Sequence, residues 1–217
     1  MDFVAARQNM VQSQLRTNRV ADPAVTAALF AVPREGFLPK QMRGYAYVDD
    51  DIEVAPGRWL MEPLVLARLL QGAAIKSSDV VLAIGDATGY VTALVARLAQ
   101  TVVSLECDPE LAGRASSALV ELGIDNAAMV QGPLRDGFAA QAPYDVIVFA
   151  GAVDDIPVGV CRQLADGGRL VGVVDAGAGP GHATLVVRVG DTYGRRVLFE
   201  AATPALPGFA RKPGFVF

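Results

Sequence analysis

Residues 79–106 read DVVLAIGDATGYVTALVARLAQTVVSLE, and this stretch decides the fold. VVLAI (80–84) is a short, wholly apolar run that stops at Gly85, the signature of a parallel strand buried on both faces. Residues 89–99 carry helical spacing, and TVVSLE (101–106) is a second strand of the same kind. A strand, a glycine-bearing turn, a helix and a second strand within 28 residues form one βαβ unit.

The pattern continues outward. Asp108-Pro109 opens a helix that ends near Gly123, with Asp as cap and Pro in the first turn. Strands follow at 126–130 and 145–149, then a helix near 157–164 and a strand at 169–174 after Gly167-Gly168. ATLVVRV (183–189) and RRVLFEA (195–201), joined by GDTYG, read as a hairpin and predict an antiparallel edge. Upstream, 3–18 predicts an amphipathic helix through Phe3, Met10, Val11 and Leu15. Asp22-Pro23 starts another helix to about Phe30, 36–60 is irregular, and Glu62-Pro63 starts a third helix to Leu70. The expected fold is α/β: a doubly wound, mostly parallel Rossmann-like sheet with an antiparallel C-terminal edge and an N-terminal helical cap. Residues 1–75 form the cap and 76–217 the core of one domain.

Composition narrows the function. The 217 residues are 52% hydrophobic and 19% charged, with a net charge of −4. That balance excludes disorder and disfavours binding to nucleic-acid phosphates. No apolar run reaches the roughly 18 residues of a membrane span, and the charged start MDFVAARQNM is no secretion signal. A cytoplasmic location is expected. Cys107 and Cys161 are the only cysteines and His182 the only histidine. They make neither a disulfide framework nor a zinc site, and no nucleophile has a triad context. Asp49-Asp50-Asp51 reads as a solvated loop face, so no metal is expected.

In an open α/β sheet, ligands bind beyond the carboxyl ends of the strands. The first loop, Gly85-Asp86-Ala87-Thr88-Gly89, lets backbone approach a ligand at a helix start. Glu106 ends the second strand about twenty residues later, where a carboxylate accepts both hydroxyls of a ribose diol. Loop and acid together imply a nucleoside ligand.

Seven segments in one order carry a resemblance: MVQSQLRTNRVADPAV (10–25), AVPREGFLP (31–39), AYVDDDIEV (46–54), VLAIGDATGYVTALVARLA (81–99), SLECDPELAGRA (104–115), APYDVIVFAGAVDDIP (142–157) and QLADGGRLV (163–171). Together they resemble the protein-L-isoaspartate O-methyltransferase family. The resemblance implies a class I S-adenosylmethionine-dependent methyltransferase, with transfer of a methyl group to the carboxylate of isoaspartyl residues in damaged proteins. It assigns the cofactor to Gly85, Asp86, Ala87, Thr88, Gly89, Glu106, Cys107, Gly132, Pro133 and Leu134. It assigns the damaged protein or peptide substrate to Arg58, Trp59, Leu60 and Met61. No catalytic residue is assigned, because a carboxylate acceptor is already ionised at neutral pH and needs no base.

Four departures stand out. Ala87 replaces the family's central loop glycine, and Ala83 replaces an acid that meets the cofactor's ammonium, a charge Asp86 is placed to restore. Gly132-Pro133-Leu134 replaces Gly-Asp-Gly and removes a backbone donor. Gly57-Arg58-Trp59-Leu60-Met61-Glu62-Pro63 replaces Gly-Gln-Thr-Ile-Ser-Gln-Pro and sets Met61 on a functional serine. Trp59, Leu60 and Met61 read equally as core packing between cap and sheet, and Arg58 reads either as a solvated surface residue or as a cation for a carboxylate substrate. These departures predict weakened cofactor binding and little isoaspartyl methylation. Two further readings follow from them: a methyltransferase with another acceptor, and a non-catalytic binding or scaffold module.

Overall fold

A computed structural model describes residues 1–177 and 179–209. The first helix is α1 (Phe3–Asn9), started by the Asp2 side chain, which accepts from the Ala5 amide. The coil then widens to a π-type turn over Met10–Leu15 and tightens over Arg16–Asn18. The expected helix over 3–18 is thus three helical segments, and the wider turn still buries Met10, Val11 and Leu15. Helix α2 (Pro23–Ala31) starts as expected, with Asp22 accepting from the amides of Ala24 and Val25.

The segment read as irregular contains a small antiparallel hairpin, β1 (Ile52–Ala55) and β2 (Arg58–Leu60). Gly57 makes its turn at φ +67°, a left-handed conformation that favours glycine. Helix α3 (Pro63–Ala73) follows. Its last carbonyls are satisfied from a distance: the Arg169 guanidinium donates to Ala73 O and Ala74 O and pairs with Asp79 at 2.5 Å.

The βαβ unit forms as read: β3 (Val80–Ile84), α4 (Tyr90–Ala96) and β4 (Thr101–Glu106). It continues through α5 (Pro109–Glu121), β5 (Ala127–Gln131), β6 (Tyr144–Val153), α6 (Val158–Cys161) and β7 (Leu164–Val174), and ends in β8 (His182–Val189) and β9 (Thr192–Glu200). The sheet order is β5-β4-β3-β6-β7-β8-β9, parallel through β7 and antiparallel at β8 and β9. Strand β7 begins earlier than expected, because Leu164 pairs with Tyr144 before a register shift. The helix expected near 157–164 is cut to α6 by that early start. His182, read as a loop residue, opens β8.

Period-2 alternation divides the core. Val81 and Ala83 of β3 face the apolar cluster shared with α2, α3 and the N-terminal turns, while Leu82 and Ile84 face the other side with Tyr144, Phe149 and Leu170. Chain order reverses between β3 and β6, which sets a crevice beyond their carboxyl ends. The backbone after β9 turns into that crevice. Ala152 N donates to Pro204 O at 3.0 Å, and Leu206 N donates to Ala152 O at 2.8 Å.

Candidate functional site

Two glycines shape the first loop. Gly85 and Gly89 sit at φ +84° and +87°, and a Cβ on Gly89 would meet Ala115 of α5 at 3.2 Å. Within the loop Asp86 is buried and points back into α4. It accepts from the Gly89 and Thr92 amides at 3.0 and 2.7 Å and from the Thr92 hydroxyl at 2.7 Å. The Thr92 hydroxyl in turn reaches Ser104 on β4. Burial pushes the Asp86 carboxyl above its ordinary value, against the pull of these hydrogen bonds. The carboxylate therefore caps the helix and does not face a ligand's ammonium, the place expected for it.

Ala87 and Thr88 line a groove of about 290 Å³ with Phe37, Leu38, Val54 and Arg114. Ala83 is wholly buried inside β3. Of the turn after β5, Leu134 is buried and Pro133 exposed, while the Gly132 amide donates to the backbone oxygen of Glu106.

Glu106 closes β4 with no exposed surface. Its Oε1 accepts from the amides of Cys107 and Asp108 at 2.8 and 2.9 Å. Both carboxylate oxygens also accept from Arg58: Nη1 to Oε1 and Nη2 to Oε2, each at 2.5 Å. Arg58 Nη2 donates further to Gly85 O at 3.2 Å. Burial opposes the charge on Arg58, but Glu106 outweighs it and holds the guanidinium above its ordinary value. Cys107 stays exposed beside this pair.

The segment after β9 occupies the crevice from the other side. A Cβ on Gly85 would lie 2.5 Å from Leu206 Cδ2, and one on Gly151 would lie 2.8 Å from the same atom. Phe209 packs edge-on against Phe149, and the Thr203 hydroxyl donates to Asp51 at 2.9 Å. Between Arg58, Trp59, Gly151 and Leu206 about 10 Å³ remains, room for one water at most. The strand-end donors and acceptors suit a nucleoside, and in this closed arrangement Arg58 and Leu206 stand where it would lie. S-adenosylmethionine would therefore be held by Glu106 and the Gly85–Gly89 loop only with both side chains displaced.

The residues assigned to the acceptor divide. Arg58 meets Glu106, Trp59 is half-buried, and Leu60 and Met61 belong to the apolar core at 1% exposure. Arg34, fully buried over the Tyr90 ring at 4.9 Å, donates to Met61 O at 2.8 Å and to Ala46 O at 2.7 Å. Sequence reading missed Thr203, Leu206 and Phe209. It also missed the pairing of Arg58 with Glu106, which spacing cannot signal across 48 residues.

A family model described as protein-L-isoaspartate(D-aspartate) O-methyltransferase matches residues 6–194. The chain belongs to this family. A protein-L-isoaspartate O-methyltransferase 1 of Rhodopseudomonas palustris (strain HaA2) is 39% identical over 174 residues, 80% of this chain and 71% of the relative. One of Koribacter versatilis (strain Ellin345) is 38% identical over 186 residues, covering 86% and 83%. A solved protein-L-isoaspartate O-methyltransferase superposes with a TM-score of 0.81 at 25% identity, over 93% of this chain and 66% of that one. A Plasmodium falciparum structure, titled as a putative member in complex with S-adenosyl-L-homocysteine, has a TM-score of 0.78 at 15% identity, over 95% and 98%. Membership makes the chain one of the S-adenosylmethionine-dependent protein methyltransferases. Among the described residues no helix is long and apolar enough to cross a membrane, and no acid, cysteine or histidine cluster is built to hold a metal.

An acidic corner adjoins the site. Asp49 accepts from the Leu64 amide, and Asp51 accepts from the Glu62 amide and from Thr203. Burial and repulsion from Asp49, Asp51 and Asp50 push the Glu62 carboxyl up to about 7. A raised carboxyl pKa means that the folded state binds the extra proton. Stability is therefore fully present below the unfolded value and falls as pH rises through about 7. Glu62→Gln should melt roughly 1–3 °C above the natural protein at pH 8, with the gap closing toward pH 5, a small shift because the side chain is partly solvated. A gap that stays constant across that range in thermal melts would refute the coupling.

Proposed function

We propose that this chain transfers the methyl group of S-adenosylmethionine to the carboxylate of isoaspartyl residues in damaged proteins, in the cytoplasm, and that it does so from an opened form of the crevice. The cap (1–75) and core (76–217) act as one domain, a reading supported by the apolar cluster they share. The observation that carries the reading is the carboxylate of Glu106, whose two oxygens receive a planar pair of donors at the end of β4, across from Gly85. Two vicinal hydroxyls present the same paired donors. The cofactor supplies a methyl group on a cationic sulfur. This chain's contribution is to orient the acceptor and exclude water, since the acceptor carboxylate is already a nucleophile.

Titration calorimetry with S-adenosylmethionine, followed by methyl transfer to matched isoaspartyl and aspartyl peptides, tests this. The expected result is binding weakened by the closed crevice, with measurable methylation of the isoaspartyl peptide alone. Glu106→Gln should weaken binding by about tenfold, the scale of one charge-assisted hydrogen bond. Equal transfer to both peptides would move the chain to another acceptor. Absence of binding at millimolar cofactor would leave the scaffold reading.

A further inference from the structure

We infer that Arg58 is an internal latch on the nucleoside site, holding Glu106 with the paired donors that a ribose diol would present, so that cofactor enters only after Arg58 lets go. The inference rests on the cofactor reading above and adds a mechanism of access to it.

Three observations converge. First, the guanidinium takes both oxygens of Glu106 and the carbonyl of Gly85, so one side chain spans the strand ends on either side of a ligand's path. Oε1 already accepts from two amides as well as Arg58, so a diol that takes both oxygens has to displace the guanidinium from their outer face. Second, Leu206 lies over the Gly85 and Gly151 backbones, the places where absence of a Cβ leaves room for a ligand. Third, the elements that carry these side chains are separate from the seven-stranded sheet, although both are packed. Arg58 sits on β2, which pairs only with β1 and lies outside that sheet, and Leu60 and Met61 shortly after it are buried in the core. Among the described residues the tail is tied by two backbone hydrogen bonds to Ala152, by the Thr203–Asp51 bond, by Arg135, which donates to Gly208 O and stacks on Phe209, and by the packing of Leu206 and Phe209. The ion pair supplies the closed state's preference, and release is a swing of the long Arg58 side chain from a hairpin that stays packed.

If the open form is a minor population, the apparent affinity for cofactor falls by that fraction. Freeing Glu106 should then tighten binding. Calorimetry with S-adenosylmethionine on the full chain would compare the natural protein with Arg58→Gln, Arg58→Lys and Leu206→Ala, with a thermal melt of each confirming its fold. Arg58→Gln is expected to bind about tenfold tighter or more, which corresponds to ~1.4 kcal/mol. Arg58→Lys, with a single cationic point in place of the fork, should fall between, and it serves if the glutamine variant does not fold. Leu206→Ala should give a smaller gain without touching the ion pair. Stopped-flow mixing adds a second readout. The observed rate should level off with cofactor concentration in the natural protein and rise without limit in Arg58→Gln, because opening no longer precedes binding. Adding Glu106→Ala to the Arg58→Gln variant should remove the gain. Equal affinity in the natural and Arg58→Gln proteins would overturn the latch and leave the cofactor reading standing. Weaker binding by Arg58→Gln would also overturn it and make Arg58 a ligand contact. Binding by none of the proteins would end both readings.

Discussion

Glu106→Ala is expected to destabilise the fold by about 3–5 kcal/mol, well beyond the loss of a ligand contact. The carboxylate is wholly buried and receives two amides and both terminal nitrogens of Arg58. Alanine removes these interactions, together with the Cys107 thiol's bond to Oε1, and leaves the guanidinium, itself 6% exposed, without its counter-charge. Removing one partner of a buried pair costs far more than replacing both with apolar groups of similar shape. The double variant Arg58→Met, Glu106→Leu should therefore recover much of the loss. For a chain of this length the single change should lower Tm by roughly 10 °C. Chemical denaturation of the three proteins, analysed as a double-mutant cycle, gives the coupling directly. A loss below about 1 kcal/mol would mean that the pair is solvated in solution, and the closed crevice would then not be the ground state.

That expectation separates what the sequence made legible from what it did not. The sheet was readable because each central strand carries its own signal. Val80–Ile84 is apolar on both faces, Thr101–Glu106 carries Val102, Val103 and Leu105 in a run rich in β-branched residues, and aspartate-proline pairs mark the starts of α2 and α5. Glu106 and the glycine loop were readable for the same reason, since a strand end and the turn that follows are local in sequence. The contents of the crevice were not readable. Arg58 reaches Glu106 from a three-residue strand inside a segment with no periodicity. Leu206 and Phe209 arrive from beyond the last strand, where the sequence carries no periodic signal. Asp86 shows the limit at a single side chain. Its place in the loop reads toward a ligand's ammonium, and the backbone geometry turns it instead to the free amides of α4.

Met61→Ser, which restores the residue that the family resemblance expects there, should cost about 3–5 kcal/mol and raise no activity. Met61 is 1% exposed, packed in the apolar cluster that joins the N-terminal turns, α3 and the sheet. Truncating a buried methionine to a small residue commonly costs about 2–5 kcal/mol, and a serine adds a hydroxyl that must find a partner among apolar neighbours. Arg34 is committed through Nε to Ala46 O and through Nη2 to Met61 O, backbone contacts that the substitution leaves in place. Its Nη1 is buried without a hydrogen-bond partner, so a serine hydroxyl that meets Nη1 would bring the loss toward the lower end of that range. The variant should melt roughly 10 °C below the natural protein and, on the latch proposal, methylate an isoaspartyl peptide no faster, because that proposal puts the barrier at Arg58 and Leu206. Arg58→Gln alone should raise turnover at subsaturating cofactor, whereas Met61→Ser alone should not. A serine variant of unchanged Tm with clear new turnover would place residue 61 at the acceptor, and the packing of β2 against the cap would have to differ in solution.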